Sequence, residues 1–361
     1  MPEPYQRNTW RKLRRNKSAL VGMTIIACAL VSALFAHILA PDHSPDANRM
    51  ILEIGGSKPG YKQQFLLLPK QKLQGSNSFI RQLASGRVDN FQYIPITAFR
   101  AEKNSLIVQK YIDEGLTEEL RFSFSETRVG ADNYRIKTQT FYLGTDKYGR
   151  DILSRLLVGV RVSLSVGLIT VIISLTIGIG LGALAGYFRG SVDNSIMWFI
   201  NIVWSIPTLL LVFAITLLLG KGYWQVFIAI GLTMWVNVAR IIRGQVLIVR
   251  EMEYVEAARA LGFSDLRIIF KHILPNVMGP VLVVAASNFA SAIVIEAGLS
   301  FLGVGVQPPQ PSWGLMIKEN YNFIITHNPM LALAPGFAIM LLVLAFNMLG
   351  SGLRDALQVK D

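Results

Sequence analysis

The residues of this chain that could do chemistry are few and scattered. Four histidines, His37, His43, His272 and His327, show no HExxH or Cys/His spacing, so no metal centre is expected. The single cysteine, Cys28, lies inside an uncharged run and has no intramolecular partner for a disulfide. No GxxxxGK[ST] phosphate loop occurs, which removes ATP hydrolysis by that route. The apolar runs hold no nucleophile and base constellation. Two features remain: one acid deep in an apolar stretch, Glu296, and a polar segment rich in small residues, Glu253 to Pro275. An acid at such depth costs about 2.5–3.5 kcal/mol to insert and faces protein or water.

The elements that position these residues follow from composition. Of 361 residues 52% are hydrophobic and only 16% charged, against roughly 25% in soluble domains, which argues against a soluble enzyme and excludes a disordered chain. A bilayer core of about 30 Å takes roughly 20 apolar residues per helix. Six runs meet that length: Leu20 to Ala40, Val162 to Phe188, Asn194 to Gly220, Gly222 to Ala239, Asn276 to Ile295 and Met330 to Leu353. The first has a signal peptide as its alternative, but it exceeds the usual ~7–15-residue apolar core, and Ala36-His37-Ile38-Leu39-Ala40 is a poor cleavage site. A transmembrane anchor is the preferred reading. Gly167, Gly178, Gly180, Gly182 and Gly186 give the second run the small-residue signature of close helix packing. Pro207 and Pro335 predict kinks, because neighbouring helices can satisfy the freed carbonyls.

The charge balance is 35 − 23 = +12. Clustered on a soluble face, it would point to nucleic acid. Instead the basic residues flank the apolar runs, so nucleic acid is not an expected partner and the charge reads as topology. The first segment holds Arg7, Arg11, Lys12, Arg14, Arg15 and Lys17; the stretch between runs four and five holds Arg240, Arg243, Arg250, Arg259, Arg267 and Lys271. The two short loops of opposite side hold only Lys221 and Lys318. Both termini are therefore expected in the cytoplasm.

Between the first two runs lie about 100 polar residues, enough for a small domain. Phe91 to Phe99, Ser105 to Tyr111, Glu119 to Ser125 and Tyr134 to Tyr142 have partial alternation and β-branched or aromatic enrichment, and predict an antiparallel sheet with short helices. Gly130-Ala131-Asp132-Asn133 predicts a turn between the last two strands. This insert is a passive lid or a docking surface for a delivery protein. From Asp151 onward Ile152, Leu153, Leu156, Leu157 and Val160 predict an amphipathic helix near the outer membrane surface, with Asp151 and Arg155 placed for an i,i+4 pair.

The fourth run is expected to continue as a helix past Arg240 and Arg243. Beyond it, Glu253 to Leu261 is rich in helix formers, Gly262 suits the left-handed position after a helix, and Ser264 or Asp265 suits the N-cap of a second helix that Pro275 closes. Small Ala257 and Ala258 give the first helix a low-profile face for a groove on a partner. Glu256-Ala257-Ala258 followed by Gly262, with Ile273-Leu274-Pro275, resembles the EAA loop of binding-protein-dependent ABC-transporter permeases. Gly144-Thr145-Asp146 with Gly149-Arg150-Asp151, Glu296-Ala297-Gly298-Leu299-Ser300-Phe301-Leu302-Gly303, Gln307-Pro308-Pro309 with Trp313-Gly314, and Gly352-Leu353-Arg354-Asp355 are similar to the C-type permease of dipeptide, oligopeptide and nickel systems. The resemblance covers residues 1–40 and 141–361. His272 departs from the aliphatic residue the pattern favours, and the insert is longer than usual.

The resemblance implies an all-α polytopic protein of the bacterial inner membrane: six transmembrane helices in a type I ABC importer permease fold, with an extracytoplasmic α+β or mainly β insert. It implies a cytoplasmic tail over 1–19, a first helix over 20–40, the insert over 41–140, and a permease core over 141–361 whose coupling loop is 250–275. Its partners would be a homologous second permease, two ATPase subunits, an extracytoplasmic solute-binding protein and the lipid bilayer. ATP and magnesium would bind the ATPase chains, with no cofactor in this one. Glu256, Ala257, Ala258, Arg259, Leu261 and Gly262 would couple to the ATPase. Glu296, with Ser300, has two readings: a structural polar contact, or a place on the path of a short peptide, nickel or another small solute. A stand-alone secondary transporter is the competing class, but neither an inverted repeat nor a second buried ionisable partner for Glu296 is evident.

Overall fold

The computed structural model describes residues 5–70, 82–83, 85–102, 105–123, 135–325 and 328–357. The turn expected at Gly130 to Asn133 and the ends of the last two expected strands lie outside them. Five helices among the described residues are long and apolar enough to cross a membrane, or six if one bent pair counts as a span. The chain divides into two compact units: residues 1–30, 163–307 and 339–361 form the first, and residues 31–162 and 308–338 the second.

In the first unit, α1 (Tyr5–Arg15) and α2 (Lys17–Leu34) are separated by Asn16, whose Oδ1 accepts from the Ala19 amide at 3.1 Å and caps α2. Its Nδ2 donates to Asp355 at 3.1 Å, near the end of the last long helix, Met330–Leu357. A Cβ on Gly22 would stand 2.6 Å from the Ala345 oxygen, and one on Gly352 would stand 2.3 Å from the Ala19 Cβ. The first and last long helices thus pack through small residues, the arrangement favoured where lipid supplies no hydrophobic drive between helices.

The expected second span is part of one 37-residue helix, α4 (Ile152–Phe188), following the short α3 (Ala36–Leu39). The amphipathic segment after Asp151 is its first three turns, not a separate surface helix. Ile152, Val158 and Val160 are buried, and so are Ser154 and Arg155, because this stretch packs inside the second unit rather than lying on a surface. Gly178, Gly182 and Gly186 face α7 (Tyr223–Val249), where added Cβ atoms would meet Val238, the Ala239 oxygen and Val246 at 2.5–2.8 Å. Gly180 has nothing within 4 Å. The third run is broken rather than kinked: α5 (Gly190–Ser205) and α6 (Thr208–Leu219) meet at 92° around Ile206-Pro207. Proline removes a helical donor and the residue before it avoids the helical region, so an apolar run can turn there. Pro335, by contrast, lies inside a helix that continues through it.

The second unit contains an antiparallel five-stranded sheet of order β4-β3-β2-β1-β5. The strands are β1 (Tyr61–Pro69), β2 (Phe91–Ala101), β3 (Ser105–Asp113), β4 (Leu116–Ser123) and β5 (Arg135–Phe141). The last four match the expected segments; β1 does not, and it is next to the edge strand β5. Its run Phe65-Leu66-Leu67 does not alternate because both sheet faces are covered there. Phe65 and Leu67 pack with Ile51, Ile54 and Phe141, while Leu66 packs with Ile94, Ile96, Leu106 and Val108. On β5 the packed residues are Ile136 and Phe141, on opposite faces.

A polar clamp follows the sheet. Asp146 accepts from the amides of Tyr148 and Arg150 at 2.9 and 3.0 Å and from Arg150 Nε at 2.6 Å. Arg150 also reaches Glu319 at 2.6 Å and is itself only 1% exposed. Glu319 lies on α11 (Trp313–Asn320) and is shared with Arg155 at 3.4 Å. The expected Asp151–Arg155 pair is therefore replaced. Asp151 Oδ2 instead accepts from the Ser154 amide and hydroxyl, and burial pushes its carboxyl up to about 6.

Candidate functional site

The segment expected to couple begins where α7 ends at Val249. The short helix α8 (Glu253–Ala260) carries Glu253 and Glu256 in its first turn, favourable beside unpaired helix amides. It ends as the sequence expects. Gly262 has φ +77°, its amide donates to the Arg259 carbonyl at 2.9 Å, and the Phe263 amide donates to the Ala258 carbonyl at 3.2 Å. These two bonds form a Schellman motif, and the left-handed residue within it carries no strain only as glycine.

The second helix departs from expectation. Ser264 occupies the cap position without a side-chain bond, and α9 (Asp265–Ile268) runs through a π-helical turn, Ile269–Ile273, into α10 (Leu274–Leu302). Pro275 starts that long helix instead of closing a short one, since proline is tolerated in a first turn.

Val255, Ala258, Ile268, Ile269 and Ile273 anchor the segment on Tyr187, Val238, Ile242 and Val246. Ala258, 4% exposed, therefore faces the chain's own core and is unavailable to a groove, which corrects the low-profile pair read from the sequence. Glu256, Ala257, Arg259 and Gly262 face outward, as does Leu261 at 74% exposure. Sequence reasoning missed two exposed apolar neighbours, Leu266 at 62% and Phe270 at 66%. Their i,i+4 spacing opposite Ile268, Ile269 and Ile273 is the signal that marks them.

Tyr187, at the end of α4, was also missed. Its hydroxyl donates to Asp265 at 2.6 Å, Arg250 donates to its carbonyl, and the Arg259 guanidinium lies 5.7 Å from its ring centre. His272 stacks on Phe263 with centroids 5.8 Å apart, so an imidazole occupies the aliphatic position of the family pattern as a flat packing surface. Asn276 donates to the Tyr254 hydroxyl at 3.1 Å, and burial raises that phenol above its ordinary pKa. Two ion pairs join the start of α5 to the end of α7: Arg243 grips Asp193 with two bonds of 2.5 and 2.6 Å, and Arg189 meets Glu251 at 2.5 Å.

This loop lies within a stretch that matches a known family. Residues 178–360 match the model of a binding-protein-dependent transport system inner membrane component, and residues 5–53 match the N-terminal transmembrane domain of oligopeptide transport permease C. The chain belongs to this permease family. A glutathione transport system permease protein of Pectobacterium atrosepticum is 41% identical over 219 residues, 61% of this chain and 72% of that one. An oligopeptide transport system permease protein of Bacillus subtilis is 40% identical over 241 residues, 66% and 78% of the two chains. Among solved structures, a chain of the MetNI methionine ABC transporter in an inward-facing conformation aligns with TM-score 0.46 and 20% identity, covering 56% of this chain and 96% of its own. Family members are multi-pass inner membrane transport components, and membership implies an ATPase and a substrate-binding protein as partners.

The deep acid is the other candidate. Glu296 is fully buried on α10 and accepts from the Ser300 hydroxyl at 2.6 Å. That hydroxyl accepts in turn from the Val306 amide at 3.0 Å, so the pair staples the turn that ends the helix. A Cβ on Gly305 would stand 2.2 Å from Ser300 Oγ, which shows how closely the turn folds back. This geometry favours the structural reading. Glu296→Gln keeps an acceptor oxygen for Ser300 and is expected to leave uptake intact, whereas Ser300→Ala strands the Val306 amide and should cost about 1–3 kcal/mol of stability. Thermal unfolding of the purified complex and an uptake assay check both. Loss of uptake by an assembled Glu296→Gln complex would place the acid on the solute path.

Proposed function

We propose that this chain is the permease subunit of an ATP-driven ABC importer, forming half of a pore for di- and oligopeptides delivered by an extracytoplasmic binding protein. The observation that carries the reading is the outward face of the 250–275 loop: Glu256, Ala257, Arg259, Leu261 and Gly262, joined by Leu266 and Phe270, on a segment anchored rigidly to the spans. Exposed apolar side chains interspersed with charged ones are the composition of a docking surface. Glu256 and Arg259 supply its polar rim, and Leu261 its centre. In this reading ATP and magnesium bind two partner ATPase chains, whose closure pushes on α8 and, through Tyr187 and Val246, on α4 and α7. A homologous permease completes the pore in a type I arrangement. The basic flanks set both termini in the cytoplasm and put the sheet outside. The substrate class rests on the relatives, whose names specify glutathione and oligopeptides.

Purification of the tagged chain should recover a second permease and P-loop ATPases; a chain isolated alone and transporting without nucleotide would contradict the proposal. The sheet carries a cavity of about 700 Å³ walled by Arg49, Glu53, Lys70, Asp89, Phe91 and Tyr93, polar enough to receive a protein partner. Deleting residues 44–140 is expected to abolish uptake driven by the binding protein while the spans still insert. Full uptake after the deletion would rule out a docking role for the sheet.

A further inference from the structure

The 92° bend between α5 and α6 borders a cavity of about 240 Å³ within the helical unit. Thr208, Thr233, Asn237, Ser287, Asn288 and Ser291 are in its wall, and no charged residue is. Two of the six are committed: Thr233 donates to the Ile230 carbonyl at 2.8 Å, and Asn288 to Ser174 at 3.4 Å. The side chains of Thr208, Asn237, Ser287 and Ser291 are exposed and make no hydrogen bond among the described residues. Ser287 and Ser291 sit one turn apart on one face of α10. Bare hydroxyls and amides within membrane-spanning segments are costly against lipid, so they face water, a polar solute or a neighbouring helix, and the open cavity beside them favours the first two.

A cation stands beside them. Arg240 lies three residues beyond Asn237 on α7, and its guanidinium rests 3.7 Å from the ring centre of Trp204, itself in the cavity wall. Nearby arginines are matched: Arg189 and Arg250 with Glu251, and Arg243 with Asp193. Arg240 has no carboxylate within ion-pair range among the described residues.

We infer that this notch is a subsite for peptide main chain, in which the amide and hydroxyl groups bond backbone N–H and C=O groups and Arg240 takes the terminal carboxylate. The inference rests on the peptide-importer reading above and adds the site where the solute is held. The volume is below the ~300 Å³ at which pockets for whole small ligands begin, so the notch holds one end of a peptide rather than all of it. Its uncharged wall reads backbone groups common to every peptide, which fits a pore that passes many sequences. The other source of an anion for Arg240 is a lipid phosphate, and the terminal group of the peptide separates the two.

The test uses the complete complex, with its binding protein, in proteoliposomes. In a Cys28→Ser background, Ser287→Cys should react with a water-soluble thiol reagent, and a tripeptide supplied with ATP should slow that reaction. No reaction, meaning a lipid-facing position, or a reaction that peptide leaves unchanged overturns the subsite. Arg240→Gln should lower uptake of a free-acid tripeptide about tenfold or more while leaving the same peptide with an amidated terminus unaffected. An equal loss for both peptides would assign Arg240 to lipid or structure and overturn its carboxylate role. Absence of peptide uptake by the unmodified complex would instead remove the importer reading itself, so the two failures are distinguishable.

Discussion

Arg150→Gln is expected to cost the second unit about 3–5 kcal/mol, the usual penalty for removing one partner of a buried ion pair. The substitution leaves Asp146, fully buried, and Glu319, 11% exposed, with much of their compensating charge gone. Arg155 compensates only in part, because it already meets Glu319 at 3.4 Å and makes no hydrogen bond to Asp146. Arg150→Lys keeps the charge but loses the fork that serves Asp146 and Glu319 together, so its loss should be intermediate. The temperature at which the complex unfolds in detergent should fall in the order wild type, Lys, Gln. An unchanged temperature for Gln would show that the clamp does not hold this unit together. The turn around it leaves no slack: Gly149 has φ +72°, and a Cβ there would stand 1.7 Å from the Ile51 oxygen.

The second large effect is expected at the proposed coupling loop. Leu261→Asp replaces the most exposed large apolar side chain of the segment with a charge at the centre of the proposed docking face. A central interface residue is worth about 2 kcal/mol or more, so ATPase engagement should weaken roughly thirtyfold. Gly262→Val acts differently. Nothing lies within 4 Å of the added Cβ, so the substitution perturbs backbone alone, forcing a β-branched residue into a left-handed conformation and breaking the Schellman bonds. The helix exit is then misdirected, and ATP hydrolysis should continue with uptake lost. Glu256→Lys, which reverses the rim charge beside Leu261, should uncouple in the same direction. Membrane insertion should be normal in all three, as read by protein recovered from the membrane. Wild-type uptake by Leu261→Asp and Gly262→Val together would remove the coupling role.

Several features are legible in the sequence alone. Long uncharged runs can be little else than spans, and Gly262 after a run of helix formers points to a left-handed stop. Alternation with β-branched and aromatic residues located four strands. The missed features share a physical cause: each depends on contacts between segments distant in sequence. β1 lacks alternation because both its faces are covered. Arg155 finds Glu319, 164 residues away, rather than the acid four residues before it. A proline in an apolar run is compatible with a kink or a corner, and the run alone does not tell the corner at Pro207 from the continuous helix through Pro335. Ala257 and Ala258 are identical in type, so composition could not tell which faces the core; Val255 and the Ile268-Ile269 pair decide it. Glu296 was legible as a buried acid but not as part of a staple with Ser300, because the Val306 amide reaches back from a turn.

The most direct test of the central claim is uptake of a labelled tripeptide by the reconstituted complex of this chain with its second permease, ATPases and binding protein. Uptake should require ATP and the binding protein, stop with a non-hydrolysable nucleotide, and fall in step with ATPase engagement in Leu261→Asp. Uptake that proceeds without nucleotide, or is driven by an ion gradient in its absence, would contradict the account.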